Sequence, residues 1–249
     1  SSANCTASAS INVTRRSNPV IMVSGNTSFC DGETTQLTAT GGQTYMWRNN
    51  YGALVSNTST VTLSEGGSYT VIATDEYACS ATQPVNVVKK NLPLVSIVAS
   101  SNEVCEGTTV SLGAGWSSGY TYHWNTGSNN RQIEVTTSGI YVLEVTANGC
   151  TAADSVEILV HSLPEIIISG DTIITEGETA TVYATAAQAV SYHWNTGSNF
   201  NYINVTPATT TYYTVDVTNV YGCSSQKSFR IVVNTTPTIV GNDAICVGD

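Results

Sequence analysis

The stretch Tyr122-His123-Trp124-Asn125-Thr126-Gly127-Ser128-Asn129 returns, residue for residue, at positions 192–199. The two copies lie 70 residues apart, and a weaker copy, Tyr45-Met46-Trp47, precedes them. An identity of this length within one chain indicates duplication. The sequence therefore predicts an array of small modules rather than one large domain.

Prolines at linker-like positions divide the chain at nearly the same spacing. They are Pro19, Pro93, Pro164 and Pro237, which lie 74, 71 and 73 residues apart. This spacing predicts three complete repeats, which we call the first repeat (19–92), the second repeat (93–163) and the third repeat (164–236). Residues 1–18 then read as the end of a preceding repeat, and residues 237–249 as the start of a following one.

The composition and the local pattern both favour strands. Only 10% of the residues are charged, and no long stretch carries helical periodicity, so helix should be almost absent. In the second repeat, residues 109–114 and 155–160 alternate with period two, and the turn signals Asn125-Thr126-Gly127 and Asn148-Gly149 separate the strands. Seven short strands per repeat predict an all-β fold, an extended array of immunoglobulin-like β-sandwich modules.

Aromatic residues recur where such sandwiches bury them. A tryptophan lies on strand C of each repeat, and a tyrosine opens strand F. These residues are Trp47, Trp124 and Trp194, and Tyr69, Tyr141 and Tyr213. Antibody domains place a cysteine two residues after that tyrosine. Here the position is Val71, Leu143 or Val215, so the cysteines have another role.

Seven cysteines, none in a Cys-x-x-Cys pair, predict disulfides formed in an oxidising extracellular location. Two pairings are open. Bonds within repeats would join Cys30 to Cys79 and Cys105 to Cys150, which leaves Cys223 unpaired. Bonds between repeats would join Cys30 to Cys150 and Cys105 to Cys223.

Strand direction bears on this choice. If all seven strands alternate in direction, the two cysteine-bearing turns of one repeat lie at opposite ends of the sandwich, roughly 17 Å apart, too far for a disulfide. A first strand that changes sheet edge would remove this objection, so both pairings stay open. The third repeat has Thr175 where the first cysteine of a repeat is expected.

Several functions are disfavoured. A net charge of -10 with only eight Lys and Arg residues argues against nucleic acid. No apolar run is long enough for a membrane helix. Ser224-Ser225-Gln226-Lys227 matches a nucleophile motif that needs a helix start, but it enters a strand, so no enzyme activity is predicted. His123 and His193 lie far from His161 in the sequence, and neither a metal site nor a cofactor is predicted.

Two aromatic residues are candidates for ligand contact. Trp116 has no counterpart in the other repeats and lies in a Gly/Ser-rich loop, close to Tyr120. Arg15-Arg16 and Lys89-Lys90 lie at equivalent strand ends, where we interpret them as charges that keep a linker soluble.

Short motifs extend over essentially the whole chain. They include Cys105-Glu106-Gly107, Trp124-Asn125-Thr126-Gly127, Ser138-Gly139-Ile140-Tyr141 and Asn148-Gly149-Cys150. This pattern resembles the tandem Ig-like and PKD-like repeats of very large Bacteroidetes surface proteins, including gliding-motility adhesins secreted by the type IX system. The third repeat departs from it at Thr175. The resemblance implies an extracellular, cell-surface adhesin or filament whose partners are its neighbouring repeats, surface glycans or other surface proteins.

The same resemblance implies O-glycosylation where Asp precedes Ser or Thr and an aliphatic residue follows. Ser155 and Thr172 meet this rule. The predicted function is a stalk or fibre segment whose modules act as spacers and mechanical links in adhesion or gliding. The alternatives are a glycan- or protein-binding module array and an accessory array of a secreted enzyme.

Overall fold

The computed structural model describes residues 7–115 and 117–235, and these residues contain strands but no helix. Two compact units can be distinguished. One comprises the chain up to Ser96 together with 115–129 and 143–154, and the other comprises 97–114, 130–142 and the chain from Ser155 onward.

Eight strands lie within the first repeat, all in the first unit. They are β1 Met22–Gly25, β2 Ser28–Cys30, β3 Thr35–Thr40, β4 Thr44–Asn49, β5 Leu54–Ser56, β6 Thr60–Leu63, β7 Gly67–Thr74 and β8 Ser80–Lys90. They form a three-stranded sheet of order β1-β3-β6 and a five-stranded sheet of order β2-β8-β7-β4-β5.

The second repeat has seven strands. They are β9 Ile97–Ala99, β10 Glu103–Cys105, β11 Val110–Ala114, β12 Thr121–Trp124, β13 Gln132–Val135, β14 Gly139–Ala147 and β15 Cys150–His161. The sheet orders are β13-β11-β9 and β10-β15-β14-β12.

The third repeat has seven strands in the same succession. They are β16 Ile167–Gly170, β17 Ile173–Thr175, β18 Ala180–Thr185, β19 Ala189–Trp194, β20 Tyr202–Val205, β21 Thr211–Asn219 and β22 Ser224–Asn234. The sheets are β16-β18-β20 and β17-β22-β21-β19. The all-β, tandem immunoglobulin-like fold is thus confirmed, while the repeat boundaries stay predictions.

The first strand of each repeat is split between the two sheets. β1 pairs antiparallel with β3, whereas β2 pairs parallel with the last strand, β8, and places Cys30 opposite Lys90. β10 and β17 pair with β15 and β22 in the same way. A short second piece of the first strand thus moves to the opposite sheet and runs parallel to the last strand, which is the change of sheet edge that the sequence left open.

The cores form as the aromatic pattern predicts. Trp47, Trp124 and Trp194 are fully buried. Around Trp47, the core contains Leu37 from one sheet and Val71 from the other. The core around Trp194 contains Val182 and Val215 at the equivalent positions. Alternation along the strands puts these side chains inside, so apolar burial joins the two sheets of a repeat.

The tyrosines that open strand F are buried and two of them anchor the preceding turn. The hydroxyl of Tyr69 donates to the carbonyl of Glu65 at 2.9 Å, and that of Tyr141 donates to the carbonyl of Thr137 at 2.8 Å. Burial raises the pKa of Tyr69, and the nearby Glu65 carboxylate adds to this. Burial also raises the pKa of Tyr213.

These shifts predict a loss of stability in alkali. The folded state holds the Tyr69 phenol protonated, whereas the unfolded chain ionises it at about pH 10, so the free energy of unfolding falls as pH rises above that value. Tyr69→Phe should reduce this decline while removing a hydrogen bond that contributes about 1 kcal/mol at neutral pH. Chemical denaturation between pH 7 and pH 11 measures both effects.

Tyr51→Phe is the control, because Tyr51 is 86% exposed. Its alkaline decline should match that of the unchanged chain. If the free energy of unfolding of Tyr69→Phe falls with pH as steeply as that of the unchanged chain, burial of the Tyr69 phenol is not the cause of the alkaline loss of stability.

Candidate functional site

Two disulfides link consecutive repeats. Cys30 bonds Cys150 with a Cα–Cα distance of 5.7 Å, and Cys105 bonds Cys223 with a Cα–Cα distance of 5.6 Å. The bonded residues are 120 and 118 positions apart in the sequence. These are the between-repeat pairs, and each disulfide lies within one compact unit.

The pairing within repeats, Cys30 with Cys79 and Cys105 with Cys150, is not the one the structure contains. Cys30 lies opposite Lys90, the last residue of β8, whereas Cys79 precedes the first residue of that strand. Eleven residues of strand separate the two ends, roughly 36 Å at about 3.3 Å per residue. The same register puts Cys105 opposite His161 at the end of β15. A cysteine on the short strand therefore lies at the wrong end of its own repeat.

A tight turn fixes the cysteine at the end of the short strand. The backbone N–H of Glu33 donates to the Cys30 carbonyl at 3.0 Å, and the Glu33 carboxylate accepts from the Cys30 N–H at 3.2 Å. Gly32 has φ +86°, a conformation in which a side chain is strained. Thr175 occupies the same turn in the third repeat, since its N–H donates to the Glu178 carboxylate at 2.8 Å.

The partner cysteine follows the turn between the last two strands. In the third repeat, Asn219 Oδ1 accepts from the N–H groups of Tyr221 and Cys223 at 3.0 Å each. In the first repeat, Asp75 Oδ1 accepts from the N–H groups of Tyr77 and Cys79 at 2.9 Å each. The bonded Cys150 and Cys223 are buried, whereas Cys79 is half-buried and free.

A second contact recurs beside the disulfides. Arg16, Lys90 and His161, here called the junction residues, each lie three positions before the proline that opens a repeat. Each of them contacts the turn between the last two strands of the next repeat. Lys90 Nζ donates to the Asn148 carbonyl at 3.0 Å, and the His161 ring stacks on Tyr221 with centroids 3.9 Å apart.

Arg16 makes the equivalent contact in the first repeat, with its guanidinium carbon 3.5 Å from the centroid of the Tyr77 ring. The interpretation of these basic residues as linker charges missed this role. Three residue types make three different contacts, a cation over a ring, a hydrogen bond and a ring stack, so only their fixed distance from the proline could have identified them.

The link into the third repeat carries further hydrogen bonds, all within the second unit. Asn219 Nδ2 donates to the Ser162 carbonyl at 3.1 Å, and Lys227 Nζ donates to the Ile166 carbonyl at 2.8 Å. His161 Nε2 also lies 3.3 Å from a Glu103 carboxylate oxygen. Side chains of the third repeat thus hold the backbone that enters it.

Lys89 differs from its neighbour Lys90 because its partners lie in its own repeat. Its ammonium lies 3.0 Å from Asp31 and 3.4 Å from Glu65. The hydrogen bond from Lys89 lowers the pKa of Asp31 and raises that of Lys89. Because Asp31 and Glu65 are solvated, these pairs add little stability.

The remaining predicted site residues are placed as follows. Trp116 lies outside the described residues, and the half-buried Tyr120 borders a shallow depression with Tyr122, His123 and Asn129. His123 is exposed and bonds Asn129 at 3.0 Å, and His193 bonds Asn199 at the same distance. Ser155 and Thr172 are both exposed. Ligand contact and glycosylation stay predictions.

Within 7–115 and 117–235, no group of three or more His, Cys, Asp or Glu side chains is arranged to hold a metal ion. The same residues include no helix of the length and apolarity needed to cross a membrane.

No family model matches the chain, and no curated protein matches it in sequence. Among solved structures, the N-terminal eight Ig domains of the Down Syndrome Cell Adhesion Molecule align with a TM-score of 0.54 at 15% identity, over 88% of this chain and 37% of that fragment. The chain therefore spans 37% of the length of that structure.

Two other solved structures align with lower TM-scores. An I-band fragment of titin gives 0.44 at 15% identity, over 88% of this chain and 100% of the fragment. A bacterial ice-binding adhesin gives 0.32 at 14% identity, over 89% of this chain and 100% of the adhesin chain. At such identities the alignment with the eight Ig domains shows similarity of fold alone.

The disulfides generate a direct chemical prediction. Digestion without reductant should release one peptide that joins Cys30 to Cys150 and another that joins Cys105 to Cys223, both identified by mass spectrometry. Cys105→Ser should lower the free energy of unfolding by about 2–4 kcal/mol, because the bond closes a long loop.

Cys79→Ser is the matched control. Since Cys79 forms no disulfide among the described residues, its loss should change stability by less than about 0.5 kcal/mol. A peptide joining Cys30 to Cys79 would contradict the pairing.

Proposed function

We propose that this chain is a stalk segment of an extracellular, cell-surface adhesin, in which the repeats act as spacers and as mechanical links. The observation that supports it is the pair of disulfides between consecutive repeats. A domain that needs a disulfide only to support a small core would place it inside that core. Here the bonds connect different repeats, and the repeat cores around Trp47 and Trp194 contain no disulfide.

The order of the cysteines along the chain decides which segments lie on the covalent path between the chain ends. Cys105 lies between Cys30 and Cys150, so the two disulfide loops overlap in the sequence. The shortest covalent route between the chain ends therefore enters at Cys30, crosses to Cys150, returns to Cys105 and crosses to Cys223. Most of the first and third repeats is bypassed, so tension along the chain cannot extend those segments.

The junction residues support the same role. Each disulfide has a non-covalent contact nearby, from Lys90 at one junction and from His161 at the other. Hydrogen bonds and a ring stack contribute roughly 0.5–1.5 kcal/mol each. They orient the following turn, while the covalent bond resists separation.

Two finer assignments rest on the motif resemblance. We propose that the parent protein is a Bacteroidetes adhesin of the gliding-motility type, exported by the type IX system to an oxidising surface where these disulfides persist. Its partners are then neighbouring repeats of the same chain and molecules of the surface to which it attaches.

Single-molecule stretching tests the mechanical proposal. Handles are attached to the first and last residues. The shortest covalent path of the oxidised chain contains about 100 residues, so the fully stretched chain should be roughly 350 Å long at about 3.5 Å per residue. After reduction, the full chain should extend to roughly 870 Å. Disulfides within repeats would instead leave about 155 residues, roughly 540 Å.

The three lengths are well separated, so one measurement distinguishes the alternatives. Equal lengths before and after reduction would refute a covalent mechanical link. Cys79→Ser serves as the control and should leave the oxidised length unchanged.

O-glycosylation tests the finer assignment. In protein purified from its natural source, the peptides that contain Ser155 and Thr172 should carry added sugar mass, removed by Ser155→Ala and Thr172→Val respectively. Thr62, an exposed threonine that follows Val61, should carry none. Unmodified Ser155 and Thr172 in native protein would rule out this modification.

A further inference from the structure

Among residues 7–115 and 117–235, an exposed group of three neighbouring aromatic rings occurs in the third repeat. Tyr183 on β18 and Tyr202 on β20 are paired across the sheet, and Phe200 precedes β20. We call these three residues the aromatic face. Phe200 is 68% exposed, Tyr183 44% and Tyr202 37%.

The rings form a continuous surface. The Phe200 and Tyr202 centroids lie 5.8 Å apart with the rings inclined by 27°, and those of Tyr183 and Tyr202 lie 5.9 Å apart. Val182 and Ile203, the next residues along the two strands, are buried in the core. Because side chains alternate along a strand, the aromatic residues point away from the core.

Hydrogen bonds hold the backbone of Phe200 in place. The indole N–H of the buried Trp194 donates to the Phe200 carbonyl at 2.8 Å, and the Phe200 N–H donates to Ser198 Oγ at 3.3 Å. Ser198 in turn donates to the Tyr202 carbonyl at 3.3 Å. These bonds fix the backbone that carries Phe200 and Tyr202, which lowers the conformational entropy lost when a ligand binds there.

Neutral polar groups continue the same side of the sheet. Thr181 donates to Asn204 Oδ1 at 2.9 Å on the adjoining rung, and Thr179 lies 3.0 Å from Thr206 on the next. Among the described residues, the amide nitrogen of Asn204 and the hydroxyls of Tyr183 and Tyr202 take part in no hydrogen bond. These groups are thus free to bond a ligand.

The other repeats lack these rings at the equivalent positions. The rung that pairs Tyr183 with Tyr202 corresponds to Gly113 with Gln132 in the second repeat and to Thr38 with Thr60 in the first. Asn130 and Thr58 stand in place of Phe200. Since the sandwich forms without the rings, packing does not require them.

Area and charge indicate what could bind. A fully buried aromatic side chain covers about 150–250 Å², so three rings exposed to this extent offer roughly 300 Å². A stable protein interface buries about 800 Å² on each partner, so a second copy of the chain would gain too little here. No residue on these rungs is charged, which disfavours an ionic ligand.

We infer that the aromatic face binds a neutral oligosaccharide. The C–H faces of pyranose rings are apolar and stack on aromatic rings, while their hydroxyls bond the neutral groups alongside. This inference is independent of the stalk proposal, because a stalk needs no ligand.

Binding to the intact chain tests the inference. Soluble linear hexasaccharides of glucose, mannose and xylose are titrated by isothermal calorimetry, with an oligogalacturonate as the anionic comparison. At least one neutral glycan should bind. Phe200→Asn with Tyr202→Gln, which installs the residues of the second repeat, should weaken that binding at least about fivefold for each ring removed.

Tyr212→Ser is the matched control. Tyr212 is 66% exposed on β21 of the other sheet, and Ser68 stands at its place in the first repeat. The control should retain full affinity, and equal melting temperatures would show that both variants fold.

Five results would overturn the inference, and the first four concern glycan binding. They are no binding by any neutral glycan, unchanged affinity in the Phe200/Tyr202 variant, equal loss in Tyr212→Ser, and binding of the anionic glycan alone. Self-association that disappears in the Phe200/Tyr202 variant would identify a second copy as the occupant and would also overturn it.

Discussion

Parallel pairing between the short second piece of the first strand and the last strand is the constraint on which the other features depend. It carries Cys30 to the end of β8, where the chain leaves the repeat, and Cys105 to the end of β15. Strand length then forbids a bond to the cysteine at the start of the same last strand. The cysteine instead meets the turn of the following repeat, and Lys90 or His161 meets that turn at the same junction. A local change of sheet edge thus determines the long-range connectivity.

The sequence alone predicted the sandwich, its buried tryptophans and the tyrosines that open strand F, because period-two alternation and aromatic spacing are local signals. It left two disulfide pairings open. Gly25-Asn26 between β1 and β2 is a turn signal, and Gly25 has φ +118°, but a turn signal does not tell which sheet the next three residues join. The role of Arg16, Lys90 and His161 was missed for a related reason. Contacts between distant segments depend on register, and their chemistry differs at each junction.

The aromatic face shows how repetition can hide a difference. The duplicated stretch ends at Asn199, and Phe200 is the first residue at which the two copies diverge. The copied residues include the core tryptophan and the turn, whereas the side chains outside the copied stretch distinguish the third repeat. Tyr183 lies 19 positions before Tyr202, and only the pairing of β18 with β20 brings the two rings together. Identical scaffolds with divergent outer faces allow one repeat to take on a task that its neighbours lack.

Thr175 separates the shape of its turn from the chemistry of that turn. The Thr175 N–H bonds the Glu178 carboxylate as the Cys30 N–H bonds that of Glu33, so the third repeat loses no fold by having threonine there. A hydroxyl cannot form a disulfide. This turn therefore cannot make the covalent bond that joins the first repeat to the second and the second to the third. One side chain thus decides whether such a turn can be cross-linked, and cross-linking can differ from one repeat to the next while every sandwich keeps its fold.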